Sequence, residues 1–172
     1  MKKINRKGFT LVELLAVIII LAIVVGISIP AVLTTINNTR VKAGVTAAES
    51  VADWIDRQYQ TAVTGLSTTS GGEIATLDAK FKEQCGDDGS SCTVTNGKNI
   101  SDAGFIAAAG VKATNVSAIN VSIDKDTGRS CVTLTIAKDG EYYNASATNN
   151  PAYKVTGSGD SVVVTAQGGV CS

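Results

Sequence analysis

Apolar and polar positions divide this chain unevenly. Phe9 to Leu33 is a nearly unbroken apolar run, and the eight residues before it carry Lys2, Lys3, Arg6 and Lys7 with no acid. At ~1.5 Å per residue a helix over this run is long enough to cross a ~30 Å hydrocarbon core. The basic flank predicts that the N-terminus stays in the cytoplasm and the polar body lies outside. Beyond the run, Val41, Val45, Ala48, Ala52, Ile55, Tyr59 and Ala62 recur at steps of three and four. That is one stripe of period 3.6, so the helix continues with a face to bury, and Gly65 is a natural stop. A second helix is predicted near Glu73–Gln84, with Ile74, Leu77 and Phe81 on one side.

The remainder alternates with period two. Asn96-Gly97 is a hairpin signal. Val116–Ile123 and Arg129–Ala137 read as strands joined by Asp124-Lys125-Asp126-Thr127-Gly128, Asp139-Gly140 turns the chain into Glu141–Ser146, and Val162–Thr165 is a last strand. The pattern predicts an antiparallel meander with short turns under a long N-terminal helix, an α+β fold. Its organisation is a basic segment at 1–8, a hydrophobic helix at 9–33 and a globular head at 34–172.

Composition narrows the chemistry. A chain of 172 residues suggests one folded domain. Its 15 basic and 15 acidic residues balance; without the first eight residues, 11 basic side chains face 15 acids, near −4. That balance argues against a basic nucleic-acid groove. There is no histidine, which removes the commonest general base and metal ligand and any Ser-His-Asp triad. Ser122-Ile123-Asp124-Lys125 is an SxxK string, but it runs from a strand end into a turn and lacks the companion motifs. No catalytic residue, metal site or cofactor is predicted.

Cys85, Cys92, Cys131 and Cys171 are an even set without a CxxC pair. In a secreted chain they read as disulfides, and the three pairings stay open from sequence alone. Cys85–Cys92 with Cys131–Cys171 is the preferred set, because Cys131 shares the strand face opposite Val132, Leu134 and Ile136 and can staple the tail. On the chain-entropy model these loops stabilise by about 2.5 and 4 kcal/mol. Four-cysteine zinc is disfavoured by the long, uneven spacings.

One residue does not suit a plain anchor. Glu13 is a carboxylate near the start of the apolar run, costing roughly 2.5–3.5 kcal/mol at a membrane centre and less near the interface. It either snorkels to water or has a partner. The surrounding string, Lys7-Gly8-Phe9-Thr10-Leu11-Val12-Glu13-Leu14-Leu15, resembles the class III signal of type IV pilins and pseudopilins. The resemblance covers about the first 33 residues. It implies that a prepilin peptidase cuts between Gly8 and Phe9 and methylates the Phe9 amine. It further implies that Glu13 pairs with the Phe9 amine of a neighbouring subunit and sets axial register. Pro30 stands where many relatives have a proline; their preceding glycine is replaced here by Ala22. Pro30 breaks one helix hydrogen bond and clashes with the carbonyl of Gly26, so it either bends the helix or marks a stretch that melts on assembly.

The resemblance also implies partners and a location. The chain is expected to form a helical homo-oligomeric filament, served by an assembly platform and ATPase, moving from the cytoplasmic membrane to the cell surface. A pseudopilin of a secretion or DNA-uptake apparatus is the alternative, as is a minor tip subunit contacting a host surface or DNA. The C-terminal bridge resembles the disulfide-bounded region near the end of many pilins. Weaker signals take plainer readings. The Asp124–Gly128 string is a polar turn rather than a calcium loop. The N-x-S/T triplets at Asn37, Asn99, Asn115, Asn120 and Asn144 are expected by chance in such a composition. Trp54, Tyr142 and Tyr143 are packing residues.

Overall fold

The computed structural model describes residues 9–64, 77–93, 97–147, 150–158 and 161–171. The chain divides into two compact units, Met1–Asn37 and Asn38–Ser172. Helix α1, Leu11–Thr64, contributes to both.

In the first unit every described residue belongs to α1 or to the two residues before it, and all of them are exposed. Pro30 lies inside the helix. Its ring removes the amide that would bond the Gly26 carbonyl. The hydroxyls around it turn inward: Ser28 Oγ donates to Val24 O at 2.7 Å, Thr34 Oγ1 to Pro30 O at 3.0 Å and Thr35 Oγ1 to Ala31 O at 3.0 Å. Such back-bonding leaves each hydroxyl satisfied within its own helix.

In the second unit, the rest of α1 lies on a five-stranded antiparallel sheet. The strands are β1 (Lys98–Ile100), β2 (Val116–Ile123), β3 (Ser130–Ile136), β4 (Tyr153–Thr156) and β5 (Val163–Gly169), in the order β1-β2-β3-β5-β4. The buried helix residues are Val41, Gly44, Ala48, Val51, Ala52, Ile55, Asp56 and Tyr59. Val45 and Ala62, expected on the stripe, are only partly buried against the core. The small residues Gly44, Ala48 and Ala52 bring helix and sheet close: a Cβ at Gly168 would overlap the Ala48 backbone.

Strand β3 buries Val132, Leu134 and Ile136 and turns Cys131, Thr133 and Thr135 outward. Val116–Ile123 forms β2 as expected. The meander expectation requires correction after β3. Residues 141–146 form turns, and β5 rather than the next segment pairs with β3, so β4 becomes an edge. The physical reason lies in local polar side chains. Asn144 Oδ1 accepts from Ser146 N at 3.0 Å and Asn150 Oδ1 from Ala152 N at 2.9 Å, offering the backbone turns in place of a ladder. Strand β5 also runs on to Gly169, past the expected end at Thr165, because Gly168 is where the sheet meets the helix.

Two short helices complete the head. Helix α2, Ala79–Cys85, is capped by Asp78, whose side chain accepts from Lys80 N and Phe81 N. Helix α3, Ala103–Ala108, absent from the sequence reading, is capped by Asp102, which accepts from Phe105 N at 2.7 Å. The predicted helix start at Glu73, the stop at Gly65 and Asn96 of the hairpin signal lie outside the described residues. Trp54 meets Phe81 and Phe105 edge-on, with ring centroids 6.1 and 5.4 Å apart. Disulfides join Cys85 to Cys92 and Cys131 to Cys171.

Where α1, β3 and the tail meet, Asp56 is buried. Its Oδ1 accepts from Ser130 N at 2.7 Å and Ser130 Oγ at 2.6 Å, while Arg129 Nε lies 3.3 Å from Oδ2. Ser130 is fully buried, and its carbonyl accepts from Val170 N at 2.9 Å, beside Cys171.

Candidate assembly site

The most exposed apolar surface among the described residues is the first unit. Phe9 is 90% exposed and Leu11 81%. The apolar window of α1 has a mean hydropathy of 3.0 with none of it buried, enough by length and composition to cross a membrane. A contiguous apolar face of this size requires lipid or a protein partner. Nothing lies within 4 Å of where a Cβ at Gly26 would stand, so no contact inside this unit demands that glycine.

The start of the helix is chemically defined. Phe9 and Thr10 are not helical, and Leu14 N donates the first helical bond to Thr10 O at 3.2 Å. Glu13 Oε2 accepts from Thr10 N at 2.8 Å and from Thr10 Oγ1 at 3.0 Å. The reciprocal contact runs from Glu13 N to Thr10 Oγ1 at 3.3 Å. This is a capping box, in which the N-cap hydroxyl and the acid three residues later satisfy each other's backbone amides. A glutamate in the first turn also meets the positive end of the helix dipole. The sequence analysis pairs Glu13 with the Phe9 amine of a neighbouring subunit and does not anticipate its bonds to Thr10. The signal was present as Thr10-Leu11-Val12-Glu13 directly before an apolar run.

Of the other sequence candidates, Gly8 lies outside the described residues, and Pro30 sits further along the exposed helix. The Cys131–Cys171 bridge borders a cleft of about 700 Å³, lined in part by Ser122, Asp124, Lys125, Arg129 and Gln167. Asp124 there is committed to its own turn. It accepts from Thr127 Oγ1 at 2.8 Å and Asp126 N at 3.0 Å, bonds that hold its carboxyl below the usual range. Asn115 is buried, and its side chain is bonded to Glu141, so this N-x-S triplet is closed to a glycosyl group.

The family model described as the prokaryotic N-terminal methylation motif matches residues 3–29. That span includes Gly8, Phe9, Thr10 and Glu13 and stops one residue short of Pro30. Neither the curated proteins nor the solved structures give a match to this chain. The methylation motif, the long apolar N-terminal helix and the helix-on-sheet head fit the type IV pilin-like family. The motif supports a type IV pilin-like or pseudopilin-like subunit and does not distinguish the two.

Proposed function

We propose that this chain is a structural subunit of a type IV pilus filament. A prepilin peptidase cuts between Gly8 and Phe9 and methylates Phe9. The subunit waits in the cytoplasmic membrane with its head outside, then polymerises through residues 9–33 into a surface fibre. An assembly platform and ATPase supply the work of extraction. The observation that carries this reading is the apolar N-terminal part of α1, every described residue of which up to Asn37 is exposed, beginning at the Thr10–Glu13 cap inside the methylation motif. Lipid covers it in the precursor and the same helix on neighbours covers it in the fibre. A charge-paired Glu13 then selects one axial register, since an unpaired carboxylate in a low-dielectric core is costly.

A head with a C-terminal bridge, spanning residues 38–172, favours a pilin over the smaller-headed pseudopilins. Mass spectrometry of sheared cell-surface material tests the reading. N-methylated Phe9 as the mature terminus in abundant fibres supports it. The same terminus confined to the membrane fraction replaces it with a pseudopilin or rare tip subunit. An uncut leader overturns it.

A further inference from the structure

We propose that the Cys131–Cys171 bridge is a redox-sensitive lock on β5: closed, it holds the strand between β3 and β4, and once it is reduced β5 leaves that slot while the rest of the head stays folded. This property belongs to the head alone and does not depend on the filament reading.

Strand β5 is the last strand described, yet it lies inside the sheet, between β3 and the edge strand β4. Large side chains anchor both walls of its slot. Strand β3 buries Val132, Leu134 and Ile136 and is paired on its other side with β2. Strand β4 is held by Tyr153, which is buried against Gly44 and donates its hydroxyl to Tyr142 O. Strand β5 itself buries only Val164, Ala166 and Gly168. A valine and an alanine withdraw much less apolar surface than the three aliphatics of β3, so side-chain burial holds β5 weakly. Its hold comes from its two ladders and, at the far end, from Val170 N donating to Ser130 O and from the bridge.

Exposure decides which bridge a reductant meets. Cys85 and Cys92 are fully buried, whereas Cys131 and Cys171 are partly exposed. A dithiol reductant attacks the accessible pair, leaves as its own cyclic disulfide and yields two cysteine thiols. The end of β3 tolerates the departure, because Ser130 N is bonded to Asp56 and not to β5. The register supplies a signature. Asp124 N donates to Arg129 O on the β2 side, and Val170 N to Ser130 O on the β5 side. Backbone groups along an antiparallel strand alternate between its two neighbours, so the amides of Val132, Leu134 and Ile136 point to β5 and those of Thr133 and Thr135 to β2.

Residue-by-residue hydrogen exchange of the detergent-solubilised full chain tests the lock. In Cys131→Ser/Cys171→Ser, and in the wild-type chain under dithiothreitol, the amides of β5 and of Val132, Leu134 and Ile136 are expected to exchange about a hundredfold faster than in the oxidised wild type. The amides of Thr133, Thr135 and β2 are expected to keep their protection, and reoxidation of the wild-type chain is expected to restore the slow pattern. Unchanged exchange at Val132, Leu134 and Ile136 overturns the proposal, because the strand then stays in place without its bridge. Equal acceleration of Thr133, Thr135 and β2 also overturns it, because the head then opens as one unit.

Discussion

Replacing Asp56 by alanine removes the acceptor of a buried cluster, and the structure sets the size of the loss. Ser130 N donates to Asp56 Oδ1 at 2.7 Å from a fully buried residue. Without Asp56 that amide has no acceptor. Leaving a buried donor unsatisfied costs about 1–3 kcal/mol, and a bond to a charged acceptor is at the upper end. The Ser130 hydroxyl escapes this penalty because Ala52 O stands 3.2 Å away as a second acceptor. Arg129 adds little: its side chain is 55% exposed, and exposed ion pairs contribute at most about 1 kcal/mol. The expected loss for Asp56→Ala is therefore about 3 kcal/mol, and for Arg129→Gln under about 1 kcal/mol. The only tryptophan, Trp54, packs inside the head. Its fluorescence during urea unfolding of the detergent-solubilised chain reads head stability directly. Equal losses for the two variants, or an Asp56→Ala chain as stable as wild type, would refute the reasoning.

Three further outcomes are expected. Burial pushes the Tyr153 hydroxyl up to about 12. The folded head therefore holds this proton more tightly than the unfolded chain does, and stability falls as pH rises from about 10 towards 12. Tyr153→Phe is expected to flatten that alkaline slope in the same fluorescence assay while costing about 1 kcal/mol at neutral pH, because its bond to the Tyr142 carbonyl is lost. Gly168→Ala drives a methyl into the Ala48 backbone and is expected to destabilise the head by at least about 1–3 kcal/mol in urea. Gly8→Val is expected to leave the leader attached, whereas Glu13→Ala is expected to be processed but not assembled. The mature N-terminal mass and the fibre yield separate the two.

Much of this architecture was legible before the structure. The apolar run, the stripe along the head half of α1 and strands β2 and β3 all follow from periodicity, because each has one face to bury. What escaped was decided by single polar side chains or by close backbone approach, which periodicity does not encode. Asn144 and Asn150 divert the chain into turns where alternation suggested more sheet. Asp102 starts a six-residue helix too short to show a repeat. Gly168 and Gly169 look like a strand's end and are instead its contact with the helix. Asp56 belongs to no apolar repeat, and only the fold brings its partner Ser130, distant in sequence, within reach. The Thr10–Glu13 cap escapes periodicity for the same reason: it is made by two polar side chains, not by an apolar repeat.

The backbone-on-backbone contact at Ala48 and Gly168 has a mechanical consequence. Where large side chains separate a helix from a sheet, an axial pull can be absorbed by their rotamers. Here that cushion is absent, and the Asp56–Ser130 bonds lie about two turns further along the helix. Load applied along α1 thus passes to β3, β5 and the disulfide-bonded tail as a rigid coupling. Under such a load the head moves as a stiff bead.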